Sequence, residues 1–343
     1  MRELLQDLLR VPGAPGYEDR VRDFVSGRLP DGVERATDNM GNLVATLGAG
    51  EKAMMFVAHM DEIGFVVSEV RDDGFLRLRP LGGIDPRTVL GRALRLVTAK
   101  GDILGVVGVV PPHLMVDRAK EMAEVPQVTD LHVDVGARSA DEARELGVEV
   151  LDFAVLDKTL RVINGRYLCC RALDDRLGCA ILLEAMRRLE GESLSWKVHF
   201  AFSVQEEVGL RGAQLLARRH PLEMAFAVDS TSAGDFPGAG RDRSPAVLGK
   251  GTCLRVLDNA AIIPPAFTKE LRALAEEEAI PLQIIFSGGG TDARAFQSEG
   301  PHVMPIAFPL RYTHSAVEMA HEDDVEQTVR FVCAIARRYA VGD

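Results

Sequence analysis

Two adjacent carboxylates, Glu206 and Glu207, follow the run WKVHFAFSVQ and stand just before Gly209. Val198, Phe200, Phe202 and Val204 alternate with His199, Ala201 and Ser203, the period of a strand with one strongly apolar face. Acids at the carboxyl end of such a strand lie where open α/β sheets place their ligands. The same placement recurs along the chain. AMMFVAH ends on His59 with Asp61 two residues on, and MAFAVDS carries Asp229 at its end. CCRALDDRLG sets Asp174 and Asp175 ahead of a helix, and PLRYTHSAVE supplies His314. Singly, each has a plain role: Asp174 as a helix N-cap, Asp229 as a turn acid, His314 as a surface residue. As a set they combine imidazole and carboxylate donors without a thiolate, which suits zinc, cobalt or manganese at a catalytic site.

The charge arithmetic favours two ions. Two divalent cations carry four positive charges, which three carboxylates and one hydroxide cancel, and excess charge in a poorly hydrated cleft is costly. Such a pair polarises a carbonyl and lowers the pKa of water. Residues i and i+2 of an extended chain point the same way, so Asp61 can orient His59. Neighbouring Glu206 and Glu207 diverge, so one can bind metal while the other serves as general base.

These residues need a scaffold. Residues 2–10 and 18–29 read as helices joined by VPGAPGY, and VERATD, NLVATLG and AMMFVAH read as strands. From about residue 64 to 166 the texture changes to short strands broken by Gly and Pro; beyond that, helices and strands alternate to the end. The expected architecture is α/β: a mixed central sheet flanked by helices, formed by residues 1–65 and 166–343, with an inserted small β-barrel-like domain over residues 66–165. Apolar strands of the insert, such as GDILGVVGVVPPHLMV, exceed what about a hundred residues can cover alone, which points to self-association.

Composition excludes several classes. A net charge of −11 and a pI near 5.3 disfavour nucleic-acid binding. No apolar run reaches membrane-span length, and MRELLQDLLRVPG reads as an amphipathic helix carrying acids, so a cytoplasmic location is expected. The five cysteines form neither a paired framework nor a zinc-finger spacing and are expected to be buried free thiols.

The segments AHMDEIGF, RALDDRLG, SVQEEVGLRGA, AVDST, SGGGTDA and RYTHSAVE together resemble the cytoplasmic di-metal aminopeptidases of the tetrahedral (TET) family, which includes glutamyl and deblocking aminopeptidases. The resemblance runs over nearly the whole chain. It implies one zinc or cobalt ion held by His59, Asp174 and Asp229 and a second by Asp174, Glu207 and His314. It also implies Glu206 as general base, Asp61 as the orienting acid and peptides as substrates. For the insert it implies a dimerisation role, with dimers building a tetrahedral dodecamer. Two other readings compete. An endoglucanase needs paired acids and an aromatic-lined cleft, yet Trp196 is the one tryptophan. A non-catalytic metal-binding protein would leave Glu206 without a purpose. Arg241 and Arg243 either attract an acidic substrate side chain or are solvated. Asp292 either meets the substrate's amino group or, with Thr291, caps a helix.

Overall fold

The computed structural model describes residues 1–240, 242–259 and 261–341. Among the described residues seventeen strands form three sheets. The first nine are β1 (Glu34–Thr37), β2 (Leu43–Leu47), β3 (Ala53–His59), β4 (Gly64–Val70), β5 (Leu76–Leu81), β6 (Ala93–Thr98), β7 (Gly101–Val107), β8 (His132–Asp134) and β9 (Phe153–Leu156). They are followed by β10 (Arg161–Ile163), β11 (Tyr167–Cys170), β12 (Lys197–Ser203), β13 (Met224–Ser232), β14 (Thr252–Leu257), β15 (Leu282–Phe286), β16 (His302–Leu310) and β17 (Glu318–His321).

The central sheet runs β1-β2-β12-β3-β13-β16-β14-β15. Its middle is parallel: β12 pairs with β3 from Lys197↔Ala53 to Ser203↔His59, β3 with β13, and β13 with β16. Antiparallel joins at β2–β12 and β14–β16 make it mixed. All seven residues of β3 are buried, as a strand covered on both faces requires. Met54, Phe56 and Ala58 pack into the larger core with helices Arg2–Arg10, Leu173–Leu189, Pro265–Glu277 and Glu322–Ala340. Met55 and Val57 point oppositely, toward Ala213 and Leu216 of helix Arg211–Arg219 and Phe296 of helix Ala293–Gln297. The period-two alternation of side chains thus divides one apolar run between two layers.

Between β3 and β12 the chain closes a six-stranded barrel, β4-β5-β8-β7-β6-β9, around Phe65, Leu78, Leu94, Leu96, Val133 and Ala154. A third sheet, β10-β11-β17, was not foreseen from sequence; it pairs Cys170 with Glu318 and so ties the approach to Asp174 to the segment after His314. All five cysteines are buried free thiols. Among the described residues no helix is long and apolar enough to cross a membrane.

Candidate active site

Parallel pairing brings the carboxyl ends of β3, β12 and β13 to one edge of the sheet, and with them His59, Glu206, Glu207 and Asp229. Asp174 and Asp175 open helix Leu173–Leu189 across a cis peptide, and His314 arrives from the loop between β16 and β17. Every proposed ligand, with Glu206, therefore lines one cavity of about 500 Å³.

Both imidazoles are turned the same way. His59 Nδ1 lies 3.1 Å from the carbonyl oxygen of Asp61, and His314 Nδ1 lies 3.1 Å from that of Gly83, in the loop after β5. A carbonyl accepts only, so each Nδ1 donates, assigning the tautomer and leaving Nε2 free to act as a ligand atom. His59 Nε2 stands 3.3 Å from Asp174 Oδ1 and 3.9 Å from Glu206 Oε2. His314 Nε2 stands 3.2 Å from Glu207 Oε1 and 3.6 Å from Asp174 Oδ2. Asp174 thus lies between the two rings.

Asp61 reaches both His59 and the turn after β12. Its carboxylate is 3.5 Å from His59 Nδ1, farther than its own carbonyl. Its Oδ1 accepts the backbone N–H of Glu206 and Oδ2 that of Glu207, each at 3.1 Å. One fully buried acid therefore fixes the turn that delivers both glutamates, and its main chain orients the histidine.

Sequence reasoning gave no role to three participants. Asp175 accepts from His59 N at 3.1 Å and Gly178 N at 3.2 Å; a Cβ at position 178 would come within 2.2 Å of its Oδ1. Glu318 accepts from the N–H groups of Asp174 and His314, both at 3.1 Å, coupling two proposed ligands; its presence four residues after His314 in RYTHSAVE was the available signal. Arg255, on β14, is buried, its Nε 3.1 Å from Asp258 Oδ2. Its Nη2 has no hydrogen-bond partner among the described residues and lies at the cavity wall beside Gly289, where a Cβ would approach it to 3.2 Å. A single charge inside the apolar strand TCLRVL marked it.

Asp292 is buried and does not line the cavity. Its Oδ2 accepts from Ser203 Oγ at 2.5 Å and its Oδ1 has no hydrogen-bond partner among the described residues. It caps no helix through its side chain; Thr291 Oγ1 accepts from Ala293 N at 3.3 Å. Arg243 is exposed and does not line the cavity, and Arg241 lies outside the described residues.

The electrostatics test whether cations fit. Burial, then the charge of Asp174, pushes Asp229 up to about 8, and burial with Asp174 does the same for Glu318. Burial raises Glu206 well above the usual carboxylate range, and Asp229, Asp292 and Glu207 add to it beyond the opposing His59. Asp174 goes the other way, down to about 2, because the hydrogen bond and charge of His59, then His314, outweigh its burial. Packed acids that lift one another's proton affinity are short of positive charge. Two sets of donor atoms lie within 4.8 Å of one another, His59 with Asp174 and Glu207, and His59 with Asp175 and Asp229. The donor chemistry fits divalent metal with open positions. No Phe, Tyr or Trp among the described residues lines the cavity, so it lacks a stacking platform for sugars.

Comparison with known proteins agrees with this chemistry. Residues 41–331 match the family model described as M42 glutamyl aminopeptidase. The lysyl aminopeptidase of Pyrococcus furiosus is 35% identical, over 97% of this chain and 96% of that protein. The glutamyl aminopeptidase of Lactococcus lactis subsp. cremoris is 33% identical over 96% and 93%. Among solved structures, the Pyrococcus horikoshii TET1 peptidase, which can assemble into a tetrahedron or a large octahedral shell, superposes with a TM-score of 0.90 at 41% identity, covering 98% of both chains. A Thermotoga maritima protein labelled endoglucanase superposes at 0.78 with 28% identity, over 97% and 96%. The span of the family match and the identity to whole aminopeptidases place this chain in the M42 glutamyl aminopeptidase family.

Proposed function

We propose that this aminopeptidase uses two divalent cations, zinc or cobalt, and prefers peptides with an acidic N-terminal residue. The observation that best supports the catalytic part is the grip of Asp61 on consecutive backbone N–H groups, which sends Glu207 toward His314 and Glu206 toward His59. In this reading His59, Asp174 and Asp229 hold one cation, and Asp174, Glu207 and His314 the other. Bound there, the cations polarise the scissile carbonyl, lower the pKa of water and offset charge developing on oxygen. Glu206 is not needed as a ligand; it takes a proton from the attacking water and returns it to the leaving amine. Glu318 and Asp175 hold the backbone around Asp174, His314 and His59.

The acidic preference rests on Arg255. A buried guanidinium that lines the catalytic cavity, its Nη2 without a hydrogen-bond partner among the described residues, is costly until a carboxylate meets it. A lysyl side chain in the same place would be repelled. Residues 66–165 are read as an inserted domain that joins subunits into dimers and then a closed dodecamer. Supporting this, Leu104, Val109, Val110, Leu114, Val116, Met122 and Val125 expose apolar side chains on one stretch of it. A cytoplasmic location suits the unpaired cysteines.

Two substitutions test the proposal. Glu206→Gln keeps the size of the side chain and removes the base, so metal content by mass spectrometry stays at the wild-type level while turnover falls about 10²–10⁴-fold. Near-wild-type turnover would remove Glu206 from the mechanism. Arg255→Gln lowers kcat/KM for glutamyl-anilide about 10–100-fold, the range of a hydrogen bond to a charged group, and leaves leucyl-anilide within about threefold. Equal losses on both substrates would refute the acidic preference.

A further inference from the structure

Between β3 of the central sheet and β4 of the barrel, one carboxylate faces three cations. Glu62 is fully buried; its Oε1 lies 2.5 Å from Lys158 Nζ and 3.2 Å from Arg176 Nη2, and its Oε2 lies 3.7 Å from Arg171 Nε. The side chains of Lys158 and Arg171 are only 5% and 3% exposed. Arg176 is fully accounted for: the carbonyls of Leu8, Val11, Gly13 and Met60 accept from it. Arg171 is not. It donates to the carbonyl of Ile63, and its buried Nε makes no hydrogen bond among the described residues, its nearest acid being the equally unbonded Oε2 of Glu62 at 3.7 Å. The next acid, Glu318, is committed to the N–H groups of Asp174 and His314.

One carboxylate balances only one of the three charges, and Lys158 and Arg171 also line a separate cavity of about 250 Å³ together with Arg92 and Arg161. Neither Arg92 nor Arg161 has an ion pair among the described residues, and the cavity's one acid, Asp157, is paired with Arg95 at 3.3 Å. Uncompensated buried cations are expensive, and guanidinium forks match tetrahedral oxyanions in shape and charge. The excess is felt locally. Burial, reinforced by Arg176 and Arg171, holds Lys158 down at about 8 in spite of Glu62. In a chain of net charge −11 this is a local inversion of sign.

We infer that this cavity is a binding site for a small dianionic oxyanion, inorganic phosphate or sulfate, held by Arg171 and Lys158 inside and by Arg92 and Arg161 at the mouth. Its volume accommodates one such ion with a few waters. Its walls also include Cys170 on β11, which leads to Asp174, and Ala316 and Val317, which follow His314, so the ion would back both ligand-bearing segments without touching the catalytic cavity.

Isothermal titration of the metal-loaded protein with sodium sulfate and, separately, sodium phosphate tests this in a buffer free of other multivalent anions. The expected result is one anion per chain for each salt. Binding should be at least tenfold weaker in the double variant Arg92→Gln/Arg161→Gln, whose exposed positions leave the fold intact by circular dichroism, and unchanged in Arg255→Gln. Phosphate binding without sulfate binding would narrow the site to phosphate and still support it. Absence of saturable binding for both salts would overturn the inference. So would binding that survives the double variant but disappears in Arg255→Gln, since that ion would sit in the catalytic cavity.

Discussion

At the scale of single residues, several buried acids of the cavity region are spent on holding main chain. Asp61 accepts from two successive N–H groups, a task that needs two acceptor oxygens. Asp61→Asn keeps the shape but turns an NH₂ toward one of those donors, tilting either Glu206 or Glu207. The expected outcome is a fall in kcat of about 10–100-fold with KM little changed, measured by steady-state anilide hydrolysis alongside metal content. Wild-type kcat would show that the turn holds itself. The residues that could carry chemistry were legible because they stand at the ends of apolar strands or beside glycine turns. Asp61 was legible only as a companion of His59, since the i, i+2 rule relates neighbours along the chain and cannot see β12 lying beside β3. Arg255 was passed over because one charge in an apolar run does not disturb a period-two pattern. Glu318 gains meaning only once it is seen holding two distant N–H groups.

At the scale of elements, helix Leu173–Leu189 carries Asp174 at its start and is braced near its end. Glu184 accepts from Arg187 at 2.8 and 3.0 Å and from Arg188 at 2.8 Å, and Arg188 reaches on to Glu326 of the terminal helix at 2.6 and 2.7 Å. The hydrogen bond from Arg187, followed by that from Arg188, outweighs burial and brings Glu184 down from 4.5 to about 2. Its folded pKa lies below its unfolded one, so the stabilisation is complete above about 4.5 and is lost as pH falls toward 2. Solvent screening of the half-exposed arginines leaves about 1 kcal/mol at neutral pH. Glu184→Gln is therefore expected to unfold at lower urea concentration at pH 7 and to converge with the wild type near pH 2; a gap that widens on acidification would contradict this. Long strands and helices were readable from their periods. The sheet β10-β11-β17 was not, because strands of three or four residues carry no periodic signal and their partners lie far apart in sequence.

At the scale of the whole molecule, the alternation of helices and strands was enough to foresee an α/β sheet interrupted by a β-rich insert, but not the order in which the strands lie. That order has a consequence for timing. β3 and β12 are parallel neighbours, yet the entire barrel is encoded between them, and the proposed ligands run from His59 to His314. Pairings so distant along the chain form late. During translation the ribosome releases His59 first, then Asp174, then Glu206 and Glu207, and only near the end His314 and Glu318. Chains stalled after Phe286 are expected to hydrolyse no anilide. In a synchronised cell-free translation, activity should lag the appearance of full-length protein; hydrolysis by stalled chains would show that the early donors suffice. With the proposed donors delivered in this order, hydrolysis begins only after His314 has joined the earlier ones.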